Sequence, residues 1–423
     1  MKTKDDFAPT QTTPATSLTR RRFLQVGLGA AAAVPFLPAA SGAHAPEPAE
    51  TPQPSTGRKI KLGVVGCGGR GAWIAGLFRQ HGGYEMWGVA DYFETVAQRC
   101  GDSLGVDKVR RFSGLSGYKR LIDSGIEAIA LETPPYCFPE HARAAVQAGL
   151  HVYMAKPVAV DVPGTLSIQE SAAKATAAKK VFLVDYQIPT DPQNLQVFDL
   201  IRAGDIGDIV ALNSHYFAGP FGDPPHTETI ESRLQNLIWC NDVALGGGYH
   251  NNACIHAIQA ALWLAGSRAV NATGYSVRAR NNPHGDSHDV FQLVLELENG
   301  VLLSHRGKHL DNLTGFEVIC TATGRKGYAN VSYGGPVMAK GPENGCGGDV
   351  ADLYAAGAVR NIAQFHRCVL ENNVSNGTVQ RAIDSALATI LGREAGLRRT
   401  TLSMKDLLRE NKKLEADLRG LKA

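Results

Sequence analysis

The chain has 423 residues, 44% of them hydrophobic and 20% charged, a composition typical of a globular protein of two or three domains. These values exclude a disordered chain, a collagen-like fibre and a multi-span membrane protein. Residues 1–43 hold five basic and two acidic residues, so the whole net charge of +3 lies there, and the balanced remainder argues against a nucleic-acid partner.

The first predicted segment is an export signal. Residues 20–22 are three arginines, a short apolar run covers 26–40, and the small residues 41–43 offer a cleavage site. This segment resembles a twin-arginine signal, which directs folded bacterial proteins to the export machinery of that name. The resemblance implies a periplasmic protein with a signal peptide over 1–43 and a linker over 44–58.

A dinucleotide-binding motif follows the linker. A predicted strand over 59–65 leads into a G-x-G-x-x-G string, then a helix over 72–80 and a second strand ending at Asp91. In this arrangement backbone amides approach a pyrophosphate and the carboxylate reaches ribose hydroxyls. Asp91 should repel a 2′-phosphate, so NAD is favoured, while Arg70 leaves NADP open. The predicted cofactor residues of the loop are Gly66, Gly68, Gly69, Arg70 and Gly71.

Strand–helix–strand alternation continues to residue 184 and predicts a parallel sheet. One apolar run, 128–131, precedes Thr133 and Pro134, and another, 151–154, precedes Lys156. Because the carboxyl ends of parallel strands border the ligand crevice, these three residues are predicted to lie near cofactor and substrate. The NAD(P)-binding Rossmann domain is therefore assigned to 59–184.

The ordered motifs resemble those of a known family. The loop 66–71, Lys156-Pro157, Tyr186-Gln187 and the segment 246–259 together resemble the Gfo/Idh/MocA oxidoreductases. The resemblance implies an α/β fold: an N-terminal Rossmann sheet, then an α+β domain over 185–423 with an open, mostly antiparallel sheet. That second domain would bind substrate and form homo-oligomers, and its C-terminal helices would return to the Rossmann domain.

The same resemblance assigns the catalytic residues. His256 matches the general base, whose ordinary pKa near 6.5 suits it to accept a hydroxyl proton, and Lys156 would polarise the same oxygen. Without the resemblance, His256 reads as a core histidine on a helix over 252–264. The predicted substrate-binding residues are Asn252, Tyr186, Gln187 and His250.

Three positions depart from the family pattern. Ala155, Asn252 and Gln259 stand where most members carry a carboxylate. The predicted function is an exported NAD-dependent oxidoreductase with tightly bound cofactor, acting on a secondary hydroxyl of a sugar, glycoside or cyclitol. Two alternatives remain: a glycosidase-like enzyme that oxidises the sugar transiently, and a non-catalytic nucleotide- or sugar-binding protein, which the neutral residues favour.

The remaining patterns are less specific. Eight cysteines are scattered without a CxxC pair, and the histidine spacings match no metal motif, so neither a disulfide framework nor a metal site is expected. Leucines at 407, 414 and 421 have heptad spacing and predict one amphipathic terminal helix over 405–421.

Overall fold

The computed structural model describes residues 57–223, 227–280, 285–312 and 315–423. The predicted export signal, 1–43, lies outside these residues, as does the linker apart from its last two positions. Among the described residues, no helix combines the length and the apolar character needed to cross a membrane.

The first sheet has six parallel strands in the order β3-β2-β1-β4-β5-β6. Every residue of β4 and β6 is buried, because helices cover both faces of such a sheet. Its strands are β1 (Ile60–Val65), β2 (Tyr84–Asp91), β3 (Arg111–Ser113), β4 (Ala128–Leu131), β5 (His151–Ala155) and β6 (Phe182–Asp185). Its helices are α1 (Gly69–His81), α2 (Glu94–Leu104), α3 (Gly117–Ile122), α4 (Phe138–Gln147) and α5 (Val162–Ala177).

The second sheet has nine strands in the order β14-β13-β12-β11-β7-β10-β9-β8-β15. Its pairs are antiparallel except for β7 with β10. Its strands are β7 (Ile209–Ala218), β8 (Ala269–Val277), β9 (Val290–Leu297), β10 (Leu302–His309), β11 (Glu317–Gly324), β12 (Tyr328–Ser332), β13 (Gly335–Lys340), β14 (Gly345–Val350) and β15 (Leu402–Ser403). The later helices are α6 (Pro192–Ala203), α7 (Val243–Gly246), α8 (Ile255–Ala265), α9 (Leu353–Leu370), α10 (Thr378–Arg398) and α11 (Met404–Glu410).

Burial alternates along β9 and β10, so this sheet has one covered and one exposed face. Helices α8 and α10 pack on the covered face. A π-helical turn, His250–Cys254, directly precedes α8. The predicted fold class, a parallel Rossmann sheet followed by an open, mostly antiparallel sheet, is confirmed.

Two C-terminal helices contact the first sheet's layer. Trp73 of α1 stacks on Tyr354 of α9 with ring centroids 4.7 Å apart, and the Tyr84 hydroxyl donates to the Ile362 carbonyl at 2.9 Å. The Val184 amide of β6 donates to Thr378 Oγ1 of α10 at 3.0 Å. These contacts hold α9 and α10, from the end of the chain, against the layer of the first sheet, with Tyr354 of α9 beside the first turn of α1.

Candidate active site

The glycine loop between β1 and α1 packs against neighbouring backbone at Gly66 and Gly71 and faces open space at Gly68 and Gly69. Gly66 has φ +89°, and a Cβ on Gly71 would lie 1.8 Å from the Gly66 carbonyl oxygen, so both positions require glycine. A Cβ on Gly68 or Gly69 would meet no atom within 4 Å. The open side therefore has the space through which a pyrophosphate reaches the first amides of α1, and the residues fit a dinucleotide.

Asp91, at the end of β2, holds this loop in place. One carboxylate oxygen accepts the Cys67 amide at 2.7 Å and the other accepts the Phe93 amide at 2.9 Å. Burial raises the pKa of Asp91, and the two amide bonds oppose that shift. Each oxygen retains a lone pair, so the carboxylate can still accept ribose hydroxyls.

Thr133 and Pro134 lie shortly after β4 and pack against the glycine loop. A Cβ on Gly66 would lie 2.7 Å from the Thr133 amide nitrogen, which shows how closely the two segments pack. Thr133 Oγ1 lies 3.4 Å from His141 Nδ1, and burial lowers the pKa of His141 to about 4. Thr133 and Pro134 thus border the same crevice as the glycine loop.

The Arg70 side chain reaches from the glycine loop to two acids at the carboxyl ends of β4 and β6. Its guanidinium lies 2.6 Å from a carboxylate oxygen of Asp185 and 3.4 Å from one of Glu132. The rings of Trp73 and Tyr354 lie 5.6 and 5.3 Å from its guanidinium carbon. In this conformation Arg70 pairs with buried acids, and its predicted part in cofactor binding stays a prediction.

Asp185, which sequence reasoning missed, is the centre of a buried polar network. Besides Arg70, it accepts the Gln187 amide at 2.9 Å and the Asn361 amide at 2.6 Å. Gln187 Oε1 in turn accepts the Tyr333 hydroxyl at 3.1 Å. Its position at the end of β6 was the available signal, because strand ends of a parallel sheet border the crevice.

Two carboxylates stand beside the position where Ala155 departs from the family pattern. Ala155 pairs with Asp185 across β5 and β6, and Glu132 directly follows the neighbouring strand β4. The Glu132 side chain is 1% exposed; its burial raises its pKa to about 7, although Arg70 opposes the shift. Neighbouring strands therefore place acids at this edge although residue 155 is neutral.

Lys156 meets the segment that carries His256. Its Nζ donates to the Asn252 main-chain carbonyl at 2.5 Å, which joins the end of β5 to the π-helical turn before α8. Burial lowers the pKa of Lys156 to about 8, and Arg70 contributes to the shift. The ammonium is thus charged at neutral pH but closer to its proton-loss range than an exposed lysine.

His256 lies in an aromatic surround and is 7% exposed. Its ring centroid is 5.2 Å from that of Tyr333 and 6.2 Å from those of Tyr186 and Tyr216. Burial, then Lys156 and Arg70, lower its pKa well below 6.5. The imidazole is neutral at pH 7 and can accept a proton.

The predicted substrate residues divide into two groups. Asn252, Tyr186 and Gln187 lie with Lys156 and His256, through the contacts given above. His250 is 1% exposed, and its ring stacks on Phe291 of β9 with centroids 4.5 Å apart. The structure therefore places His250 against the second sheet, and its predicted sugar contact stays a prediction.

The fold and the glycine loop together define a two-domain protein of the Rossmann dinucleotide-binding class. Residues 60–186 match the family model described as "Oxidoreductase family, NAD-binding Rossmann fold", and 194–329 match the "GFO/IDH/MocA C-terminal domain". The two matches cover more than half of the chain, which belongs to the Gfo/Idh/MocA family.

Curated relatives include inositol dehydrogenases. The chain is 29% identical over 246 residues to inositol 2-dehydrogenase 2 of Saccharopolyspora erythraea, covering 58% of this chain and 65% of that protein. It is 25% identical over 245 residues to the scyllo-inositol 2-dehydrogenase (NAD(+)) of Bacillus subtilis, covering 57% and 64%. The matches thus span slightly less than two thirds of these relatives.

Solved structures share the fold. The aldose-aldose oxidoreductase from Caulobacter crescentus complexed with glycerol has a TM-score of 0.67 at 18% identity, covering 82% of this chain and 100% of that one. The scyllo-inositol dehydrogenase from Lactobacillus casei with bound NAD(H) and scyllo-inositol has a TM-score of 0.65 at 16% identity, with the same coverage. At these identities the likeness concerns architecture alone.

Proposed function

We propose that this protein is an exported NAD-dependent oxidoreductase that acts on a secondary hydroxyl of a sugar, glycoside or cyclitol. The observation that carries the proposal is the bond from Lys156 Nζ to the Asn252 carbonyl, which brings a charged ammonium beside the helix of His256. Both groups lie at the crevice onto which the glycine loop opens. The inositol dehydrogenases among the relatives support the substrate class.

The residues of the crevice have separate roles in the oxidation of an alcohol. Gly66, Gly68 and Gly71 shape the phosphate-binding loop, and Asp91 accepts ribose hydroxyls. Bound NAD supplies a hydride acceptor for the substrate carbon. The neutral imidazole of His256 accepts the hydroxyl proton, and the Lys156 ammonium stabilises the negative charge that develops on the oxygen.

The polar network at the strand ends positions these groups. Gln187 is held between Asp185 and the Tyr333 hydroxyl, and Tyr333 packs beside His256. The Asn252 side chain can donate and accept hydrogen bonds, so it orients a substrate hydroxyl without taking its proton. The missing family carboxylates therefore remove a proton-sharing partner but leave the ammonium and imidazole in place.

A panel of sugars and cyclitols, followed by nicotinamide absorbance, tests the proposal. We expect Lys156→Ala and His256→Ala each to lower kcat/KM by about 100-fold or more with bound NAD retained. Lys174→Ala, at an exposed lysine of α5, and His288→Ala, at a histidine 2.8 Å from Ser276 Oγ of β8, serve as matched controls and should keep activity.

The other outcomes select the alternatives. Release of an aglycone without net NADH would replace the dehydrogenase by the glycosidase-like enzyme. Bound sugar with no turnover in any assay would make the chain a binding protein. Retained activity in both Lys156→Ala and His256→Ala would remove these residues from the mechanism.

Export implies a cofactor that is loaded before translocation and held tightly. The arginines at 20–22 support this proposal. Replacing Arg21 and Arg22 by lysine should keep the full chain in the cytoplasm, as seen by cell fractionation, while the unaltered chain is recovered from the periplasm. Mass spectrometry of the periplasmic protein should detect NAD, and its absence there would contradict tight retention.

A further inference from the structure

Three buried side chains outside the proposed catalytic group lie together under the second sheet. His250 and Cys254 belong to the π-helical turn before α8, and His305 belongs to β10. One ligand atom from each lies within 4.8 Å of the other two. All three side chains are at most 1% exposed, so bulk water does not satisfy them.

Three of the four histidine nitrogens of this cluster lack partners. Neither Nδ1 nor Nε2 of His250 has a hydrogen-bond partner, and His305 Nε2 has none. Buried polar atoms are nearly always paired in native proteins, because an unpaired one has lost its hydrogen bonds to water without replacement. A bound cation that accepts one lone pair from each ring would provide a partner for His305 Nε2 and for one nitrogen of His250.

His305 is oriented as a ligand. Its Nδ1 lies 2.8 Å from Ser214 Oγ on the neighbouring strand β7. The tautomer that donates its Nδ1 proton to Ser214 Oγ leaves the lone pair of Nε2 free to bind an ion. A hydrogen bond from the far nitrogen of the ring is the usual support of a metal-bound histidine.

Two glycines allow the backbone to approach the other ligands. A Cβ on Gly307 would lie 2.6 Å from Cys254 Sγ, and a Cβ on Gly392 would lie 2.9 Å from His250 Nε2. Three atoms no more than 4.8 Å apart lie within about 2.8 Å of a common centre, whereas metal bonds to nitrogen and sulfur are about 2.0–2.3 Å. Closure around an ion therefore requires shifts of less than about 1 Å.

We propose that His250, Cys254 and His305 bind one Cu⁺ ion. Two imidazoles and a thiolate form a soft donor set, which suits Cu⁺. The charge of the site selects Cu⁺ over Zn²⁺: one thiolate neutralises Cu⁺, whereas Zn²⁺ would leave a net positive charge in a buried cluster without a carboxylate. On binding, the Cys254 S–H bond breaks, a Cu–S bond forms, and the proton leaves to solvent without electron transfer.

A buried guanidinium beside the turn bears on the charge argument. Arg393 donates to the carbonyls of Val160 and Gly247 and forms an ion pair with Glu394 at 3.2 Å, so the Glu394 carboxylate is already paired. A further net positive charge beside Arg393 would be costly in a low-dielectric interior. The neutral Cu⁺–thiolate pair avoids that cost and joins β10 to the segment that carries Asn252 and His256.

Two measurements test the site: the metal content of the protein, and X-ray absorption, which identifies sulfur and nitrogen ligands. We expect the full chain, expressed with copper in the medium and purified under anaerobic reducing conditions, to hold about one copper per chain. X-ray absorption should show one sulfur and two nitrogen ligands. Cys254→Ser should lower the copper content at least tenfold, whereas Cys320→Ser, at another buried cysteine, should retain it. Removing copper with a chelator should lower the unfolding temperature of the unaltered chain but not of Cys254→Ser.

Each contrary outcome overturns the proposal. Copper that is absent from the unaltered chain, or equal in Cys254→Ser, would leave the cluster as three core side chains. Stoichiometric zinc in place of copper would reject the choice of ion. If Cys254→Ser does not fold, His305→Gln and the absorption spectrum of the unaltered chain decide, and a spectrum without sulfur ligation rejects the site.

Discussion

At the residue scale, three basic groups lie close together in a buried crevice. Arg70, Lys156 and His256 repel one another's positive charge, and burial penalises that charge further. Asp185 and Glu132 compensate Arg70, which leaves Lys156 with a pKa near 8 and His256 neutral. The site therefore keeps one proton donor and one proton acceptor side by side at neutral pH.

The pH profile of kcat/KM should report this arrangement. We expect activity to fall as pH rises through about 8, because Lys156 loses the proton that stabilises the oxygen. The rise in kcat/KM that accompanies deprotonation of His256 should occur well below pH 6.5. Lys156→Arg keeps its charge at all these values, so its falling limb should move to higher pH. A profile that instead rises through pH 8 would make Lys156 the base.

Glu132→Gln should change how stability depends on pH. The folded state raises the pKa of Glu132 from 4.5 to about 7, so its contribution to stability is complete below 4.5 and is lost as pH rises through 7. Glutamine does not ionise, so the variant should gain stability relative to the unaltered chain between pH 5 and 8, by at most about 3 kcal/mol. Urea unfolding at several pH values measures the difference; a constant difference would contradict the prediction.

At the scale of elements, the β1–α1 unit follows from its sequence and the C-terminal segment does not. A helix was predicted over 405–421, but α11 runs from Met404 to Glu410 and the prediction is wrong beyond it. Asn411 takes φ +42° and ends the helix, and the Leu414 amide then donates to Asp161 Oδ2 at 2.7 Å. A partner distant in sequence therefore replaces the helical hydrogen bonds that the heptad pattern favoured.

The glycine loop gives a matched pair of variants. Gly71→Ala should lose both stability and NAD binding, because its Cβ would collide with the Gly66 carbonyl. Gly68→Ala should keep its unfolding temperature, since its φ is −69° and no atom lies within 4 Å, yet lose NAD affinity by about tenfold or more. Thermal unfolding and NAD titration measure the two effects; unchanged affinity in Gly68→Ala would place the pyrophosphate elsewhere.

At the scale of the molecule, the second sheet has one broad exposed face. Tyr275, Val294, Leu302 and Met338 are 63, 41, 51 and 40% exposed on β8, β9, β10 and β13. Apolar side chains on one open sheet face are typical of an association surface. The face agrees with the sequence prediction of a homo-oligomer, which stays a prediction.

Val294→Lys tests that association. A charge in the middle of the open face should dissociate the oligomer, because a desolvated lysine without a partner is costly in an interface. Light scattering coupled to size-exclusion chromatography should show a smaller mass for Val294→Lys and an unchanged mass for Val109→Lys, at an exposed valine in the Rossmann domain. Equal masses for all three chains would locate the contact elsewhere or make the protein a monomer.

The sequence by itself determined the local units of this protein. A strand, a glycine turn, a helix and a carboxylate at the end of the next strand lie within about 30 residues, so local spacing specifies the β1–α1–β2 unit of Gly66 to Asp91. The tertiary structure alone decided what meets across the crevice and under the second sheet. The Arg70–Asp185 pair and the contact of Lys156 with the Asn252 carbonyl join residues 115 and 96 positions apart, and the cluster joins His305 of β10 to His250 and Cys254 of the π-helical turn. The spacing of residues along the sequence does not predict such contacts, because strand order and helix packing bring the residues together.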